Sequence, residues 1–332
     1  MTDTQNEVFK TPVNKIRLFE HGAPGSQNFK LTRKYYTEDM PDGRVKHIVQ
    51  NITDPDIVPY IPDGIGNSTD RQRIPAVLII PGGAFRRLVY NFEGEDVAKW
   101  LNSMGIAAFV LECRLPSDEH DNAEDVPLID AMRAMRVIRG RAQEFGIDEA
   151  KIGVMGFSAG GFMAALLSTA YESDVYADYK YKDEYDKLSA RPDFAVCSYP
   201  VISIDDCIEA GKRYMSEEQV LERISDSKAK ILHKYNPDKL VRPDMPPVFI
   251  CETDDDRTTL SENSVGFYMA ARKAGVSAEL HIFRTGGHGY GCGDDFAQTG
   301  EWKVLFTKWI KSIGIITVSY THLRAHETLS DL

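Results

Sequence analysis

Cysteine is scarce in this sequence, and its spacing is not that of a metal site. The 332 residues include five cysteines, an odd number with no two of them in a C-x-x-C arrangement. They are Cys113, Cys197, Cys207, Cys251 and Cys292. This scatter excludes a zinc ribbon and a framework of disulfides, and it predicts free thiols that pack mostly as small hydrophobic side chains.

Positive charge and long apolar runs are also lacking. The chain has 39 Lys and Arg against 50 Asp and Glu, a formal net charge of −11 at pH 7, so neither a nucleic acid nor a membrane is expected as a partner. No apolar run approaches the length of a membrane span, and residues 1–7 lack the basic and apolar regions of a signal peptide. We therefore expect a cytoplasmic protein, or a secreted or periplasmic one if a signal has been removed.

The last residues do not read as part of a fold. The run from Thr317 to Thr328 resembles a translated sequencing adapter, and the residues after it fit a variable index followed by fixed bases. The alternative is an ordinary polar tail, which a match of this length disfavours. We interpret residues 317–332 as a non-native tail and assign no function to His322 or His326.

Between residues 71 and 316, short apolar runs alternate with amphipathic helical patterns. The runs that predict strands are 74–81, 105–111, 151–155, 194–201, 248–251 and 278–283. The patterns that predict helices are 95–104, 126–145, 261–274 and 301–313. This alternation predicts one α/β domain with a mostly parallel central sheet and helices on both faces.

Two regions interrupt the alternation. Residues 1–70 are rich in Pro, Gly, Asn and Asp, and we expect an N-terminal extension that packs on the core and adds antiparallel strands such as 44–51. Residues 203–245 form a charged helical insertion between two strands. Such an insertion is either a small cap over a pocket or an ordinary surface excursion.

The pentapeptide Gly156-Phe157-Ser158-Ala159-Gly160 reads G-x-S-x-G and lies between an apolar run and a helix start. Strand, sharp turn and helix are the context of a nucleophile elbow, which presents a serine hydroxyl at the top of a sheet. The two glycines leave room for the cramped turn. The motif therefore predicts a catalytic Ser158.

A serine hydroxyl needs a base, and the base needs an orienting acid. In the order Ser, acid, His, the histidine is His288, because it follows the last strand in a glycine-rich loop. The acid is expected after the strand that ends at residue 251. Asp256 is our choice and Asp255 the alternative, while a cation site in this acidic run is disfavoured by its few ligands.

The oxyanion of an acyl-transfer reaction also needs hydrogen-bond donors. One is expected from the Ala159 amide, next to the nucleophile. The others are expected from Gly83 and Ala84, since Pro81-Gly82-Gly83-Ala84-Phe85 is similar to the H-G-G-G loop of esterases. The alternative is a simple turn from strand to helix.

Together these motifs resemble the esterase/lipase branch of the α/β-hydrolases. Within it the chain is similar to bacterial acetyl esterases and acetylxylan-esterase-like proteins of carbohydrate breakdown, from about Asn51 to Ile313. The resemblance implies an α/β-hydrolase fold, no metal or other cofactor, and hydrolysis of short acyl esters. Acetyl groups on xylan-type carbohydrates are the expected substrates, on a small molecule or an oligosaccharide, and a homo-oligomer is compatible with the sequence.

Three alternatives stay open. A feruloyl esterase would use the same residues on a larger acyl group. A serine peptidase of the prolyl-oligopeptidase type has the same order of elements, but residues 1–70 are too few to build its propeller domain. A non-catalytic binding protein on a hydrolase scaffold commonly loses the serine or the histidine, whereas Ser158 and His288 are both present here.

Overall fold

The structure is a computed structural model that describes residues 9, 14–64, 73–225, 230–293 and 297–316. Its strands are β1 (Ile16–Arg17), β2 (Lys34–Asp39), β3 (Val45–Gln50), β4 (Asp56–Tyr60), β5 (Ile74–Ile80), β6 (Leu88–Val89), β7 (Ala107–Glu112), β8 (Ile147–Phe157), β9 (Ala195–Ser198), β10 (Val248–Thr253) and β11 (Ala278–Phe283). The predicted tail, residues 317–332, lies outside the described residues, as does the expected boundary near residue 70.

In the described part of the chain, eight strands form the main sheet in the order β1-β4-β7-β5-β8-β9-β10-β11. The last six strands in this order, from β7 through β5 to β11, run parallel. In contrast, β4 pairs antiparallel with β7, and β1 pairs antiparallel with β4. The α/β-hydrolase prediction is confirmed by this sheet. The predicted strand 44–51 is β3, which pairs antiparallel with β2 in a small second sheet.

The α-helices are α1 (Asp96–Ser103), α2 (Val126–Gly140), α3 (Ala142–Phe145), α4 (Ala159–Ala170), α5 (Ile204–Tyr214), α6 (Glu217–Ser225), α7 (Lys230–Lys234), α8 (Ser261–Lys273) and α9 (Glu301–Ser312). A π-helical turn, Asn91–Glu95, precedes α1. The predicted helix 126–145 was wrong in one respect, since it is two helices that meet at Arg141. Gly140 favours the break because glycine is a weak helix former.

Helices cover both faces of the sheet. On one face α1 and α9 meet through Trp100 and Trp302, whose ring centroids are 4.9 Å apart. On the other face α4 packs against α2 and against β8 and β9. Every residue of β7 and of β10 is buried, which explains why these strands read as continuous apolar runs.

The parallel strands place the predicted site residues at one edge of the sheet. The carboxyl ends of β5, β8 and β10 meet there, because parallel strands present the same end to the same side. The loops that follow these strands carry the predicted oxyanion donors, Ser158 and the aspartates, and the loop after β11 carries His288. Among the described residues, no helix is both long enough and apolar enough to span a bilayer.

Candidate active site

Ser158 lies at a sharp turn between β8 and α4. Its φ of 54° and ψ of −118° are values that a residue other than glycine seldom adopts. The flanking glycines make the turn possible. A Cβ on Gly156 would lie 1.9 Å from the carbonyl oxygen of Gly160, and a Cβ on Gly160 would lie 2.0 Å from that of Ile80. The strained geometry of a nucleophile elbow is therefore present.

Three side chains far apart in sequence form one hydrogen-bonded line. His288 Nε2 lies 2.9 Å from Ser158 Oγ, and His288 Nδ1 lies 2.6 Å from Asp256 Oδ2. Ser158 and Asp256 are buried, and His288 is partly exposed at the edge of the cleft. The structure thus brings the predicted serine, histidine and aspartate together in the order nucleophile, base and orienting acid.

Asp256 is held in its ionised form by its neighbours. The Thr258 and Thr259 amides donate to Oδ1 at 2.7 and 3.0 Å, and the Thr259 hydroxyl donates to Oδ2 at 3.0 Å. Burial raises the pKa of Asp256, but hydrogen bonds from His288 and from the two amides outweigh it, so the pKa lies below its usual value. Asp256 can therefore orient the imidazole and face a developing imidazolium.

Asp255, the alternative acid, contacts the backbone instead of the imidazole. Its Oδ1 accepts hydrogen bonds from the amides of Gly286 and Gly287 at 2.9 and 2.8 Å. Asp255 therefore fixes the loop that carries His288. The neighbouring Glu252 is fully buried, and burial raises its pKa well above the usual value, with the negative charge of Asp256 adding to the effect.

Gly83 and Ala84 lie opposite the serine, in the loop after β5. Both line the cleft with Ser158, and both have positive φ, 139° and 57°. Among the described hydrogen bonds, neither amide donates to a protein acceptor. Ala159 is the first residue of α4, where amide groups lack intrahelical partners. Gly83 and Ala84 thus line the cleft together with Ser158, and Ala159 directly follows the serine.

The cleft above Ser158 has a volume of about 850 Å³. One side comes from the turn between β2 and β3, with Met40, Asp42, Arg44 and Lys46, and Phe92 and Glu93 come from the π-helical turn. Sequence reasoning missed these residues. Of the described residues that line the cleft, none belongs to 203–245, so the cap assigned to that insertion stays a prediction.

Several known proteins and one family model are similar to this chain. A family model described as BD-FAE matches residues 65–270, more than half of the chain. An acetylxylan esterase of Xylanibacter ruminicola is 31% identical over 240 residues, which are 72% of this chain and 45% of that protein. An endo-1,4-beta-xylanase B of Butyrivibrio fibrisolvens is 29% identical over 79% of this chain and 40% of its own length. The chain thus spans less than half the length of these curated relatives.

Solved structures extend the likeness over nearly the whole chain. An acetyl ester-xyloside bifunctional hydrolase from Caldicellulosiruptor lactoaceticus is 34% identical, with a TM-score of 0.66 over 91% of this chain and 97% of that one. A carboxylesterase from Lactobacillus plantarum, 20% identical with a TM-score of 0.64, shares the fold.

Proposed function

The chain belongs to the BD-FAE family of α/β-hydrolase esterases, and from this premise we propose that it is a serine carboxylesterase that removes short acyl groups from carbohydrate. The observation that carries the proposal is the line of hydrogen bonds from Ser158 through His288 to Asp256. It supplies a nucleophile, a base and an orienting acid within hydrogen-bond reach of one another.

In the first half of the reaction the serine accepts the acyl group. His288 Nε2 removes the proton of Ser158 as Oγ attacks the ester carbonyl, and Asp256 stabilises the imidazolium that results. The carbonyl oxygen becomes an oxyanion, which the amides of Gly83, Ala84 and Ala159 stabilise. Each such donor contributes about 3 kcal/mol to the transition state. The alcohol then leaves with the proton held by His288.

In the second half, water releases the acid. His288 removes a proton from a water molecule, which attacks the carbonyl of the acyl-serine through a second oxyanion at the same amides. The carboxylic acid leaves, and the proton returns from Nε2 to Ser158 Oγ. No step calls for a metal or an organic cofactor.

The substrate assignment draws on two kinds of support. Proteins named for acetylxylan ester and acetyl ester-xyloside hydrolysis are 31% and 34% identical to this chain. The cleft around Ser158 is lined by many polar and charged side chains, among them Asp42, Arg44, Lys46 and Arg87, which suit a hydroxyl-rich alcohol more than a lipid. We therefore propose an acetyl group on xylan or a xylo-oligosaccharide as the substrate.

A hydrolysis screen tests the proposal. The purified protein is offered p-nitrophenyl esters from acetate to octanoate, methyl ferulate and acetylated xylo-oligosaccharides, with Ser158→Ala as the blank. We expect the acetate and the acetylated oligosaccharides to be hydrolysed fastest and the blank to be inactive. Faster turnover of octanoate or ferulate would contradict the acetyl assignment, and an active Ser158→Ala protein would contradict the serine mechanism itself.

A further inference from the structure

Glu93 is a buried carboxyl group beside the proposed site that the two-step mechanism does not use. It lies in the π-helical turn before α1, contributes to the cleft and is only 4% exposed. Its Oε2 accepts a hydrogen bond from the Gly82 amide at 2.8 Å. A Cβ on Gly82 would lie 2.8 Å from that oxygen and 2.9 Å from the Cβ of Ser158, so Gly82 is wedged between the carboxyl group and the nucleophile.

Tyr199 connects Glu93 to the loop of the histidine. The Gly291 amide donates to the Tyr199 hydroxyl oxygen at 3.0 Å, and the Tyr199 hydroxyl donates to Glu93 Oε1 at 2.9 Å. The Tyr199 ring also packs edge-on against the His288 ring, with centroids 5.0 Å apart. One chain of hydrogen bonds therefore joins the loop after β5, which carries the oxyanion donors, to the loop after β11, which carries the base.

Hydrogen counting indicates the state of the carboxyl group. The Tyr199 oxygen accepts the Gly291 N–H, and its single hydrogen is donated to Glu93 Oε1. Both oxygens of Glu93 then accept a hydrogen bond, an arrangement that suits a carboxylate. Such charge-assisted bonds are stronger than neutral ones.

Charged groups near Glu93 and His288 influence the pKa of Glu93 and the charge that the imidazole meets. Burial raises the pKa of Glu93 above its usual value, and His288, the hydrogen bonds from Tyr199 and Gly82, and Lys46 across the cleft offset only part of that rise. The imidazole of His288 is faced by Asp256, by Glu93 and by the uncharged ring of Tyr199. Arg87, Arg44, Asp42 and Asp96 line the same cleft. Glu93 is thus a second negative charge near the imidazole, after Asp256.

We propose that Glu93 and Tyr199 are positioning residues that hold the oxyanion loop in register with His288, and that the Glu93 carboxylate stabilises the imidazolium formed during acyl transfer. The proposal rests on the serine esterase function above. It assigns to Glu93 an electrostatic role that a purely structural contact would not have.

Glu93→Gln tests the charge, since it keeps the size of the side chain. We expect kcat for p-nitrophenyl acetate to fall on the order of 10-fold to 100-fold with little change in KM, because the interaction acts in the transition state. We also expect the acid limb of the kcat/KM profile to move to lower pH by about 0.5–1 unit, because a lost negative charge lowers the pKa of a nearby imidazolium.

Tyr199→Phe tests the hydrogen bonds that join Glu93 to the histidine loop. It tests the positioning role even if Glu93→Gln does not fold. It removes the hydroxyl, keeps the ring against His288 and leaves the charge of Glu93, so we expect kcat to fall about 10-fold with the acid limb unmoved. Tyr60→Phe is the matched control, because within the described part of the chain its hydroxyl is hydrogen-bonded to that of Tyr90, at 3.0 Å, and Tyr60 is not among the residues that line the cleft. Its kinetic constants should stay within about twofold of the wild type.

The outcomes separate this inference from the function on which it rests. If the wild type hydrolyses the ester, Ser158→Ala does not, and Glu93→Gln keeps the wild-type acid limb, the electrostatic role is wrong while the esterase function stands. A wild-type kcat in Tyr199→Phe would likewise overturn the positioning role. If Ser158→Ala retains the wild-type rate, the proposed function itself is wrong.

Discussion

Asp255 and Asp256 carry the same functional group one residue apart, yet they act on different parts of the site. Asp256 is 2% exposed and meets His288 Nδ1, whereas Asp255 is exposed and accepts two backbone amides of the histidine loop. The burial of Asp256 strengthens its interaction with a developing charge, and the exposure of Asp255 weakens its own. The two carboxyl groups should therefore differ sharply in their effect on catalysis.

Replacing each aspartate by asparagine measures that difference. In Asp256→Asn the amide no longer fixes the productive tautomer of His288, and we expect kcat to fall by about 10⁴-fold. In Asp255→Asn the side-chain oxygen still accepts from Gly286 and Gly287, and we expect a loss of less than about 10-fold. Initial rates on p-nitrophenyl acetate check both values. Equal losses in the two variants would contradict the assignment of Asp256.

The residues of the site differ in how far the sequence reveals them. The elbow motif, the chain order and the glycine-rich loop identify Ser158 and His288. The choice between Asp255 and Asp256 stayed open because one residue of offset depends on the turn after β10, which composition does not determine. The sequence assigned no role to Glu93 or Tyr199, because their contact joins positions 106 residues apart.

At the scale of elements, the elbow depends on the close approach of two strands and a helix. Gly160, in the first turn of α4, meets the end of β5 so closely that a Cβ would lie 2.0 Å from the Ile80 carbonyl oxygen and 2.8 Å from that of Pro81. Both are backbone atoms and cannot turn aside as a flexible side chain could. The same contact sets the distance between Ser158 and the loop after β5.

Gly160→Ala is expected to lower the free energy of unfolding by about 3 kcal/mol, because the added methyl group forces β5 and α4 apart. Gly266→Ala is the matched control in the middle of α8, where a Cβ would meet nothing within 4 Å. Alanine is the better helix former, so the control should be more stable by up to about 1 kcal/mol. Urea unfolding measures both, and equal stability of the two variants would contradict the packing argument.

The elements of the core follow from the sequence more completely than the edges of the cleft. The buried strand β5 reads as an apolar run and the partly exposed edge strand β11 as an alternating one, and their observed bounds lie within one residue of the prediction. The predicted strand 194–201 is shorter, since β9 ends at Ser198, where the chain turns towards Tyr199. The turn between β2 and β3 has the polar composition of any loop, so nothing local indicates that it lines the cleft.

At the scale of the molecule, ion pairs connect the N-terminal segment to the main sheet. Lys15 and Arg33 each lie 2.6 Å from the fully buried Glu112 at the end of β7, and Arg33 also lies 2.6 Å from Asp56. Burial, together with the charge of Glu112, raises the pKa of Asp56 to about 6 despite Arg33 and Lys15. Asp56 therefore stabilises the fold most at acid pH, below the usual pKa of about 4, and this contribution is lost as pH rises through 6.

These contacts have a consequence for the whole cleft. The N-terminal segment that these ion pairs hold continues into β2 and β3. Arg44 and Lys46, at the turn between these strands, line the cleft of Ser158. The hydrolase core supplies the proposed chemistry, and the N-terminal segment supplies one side of the surface that a carbohydrate would meet. We therefore propose that residues 1–70 and 71–316 act as one functional unit.

If Ser158 is a nucleophile activated by His288, as we propose, an electrophilic probe should trap it covalently. The folded protein is treated with a fluorophosphonate, and the modified residue is identified by mass spectrometry of its peptides. We expect one added phosphonyl group, located on Ser158, absent in Ser158→Ala and formed far more slowly in His288→Ala. A folded wild-type protein that stays unmodified, or a label at another residue, would contradict this proposal.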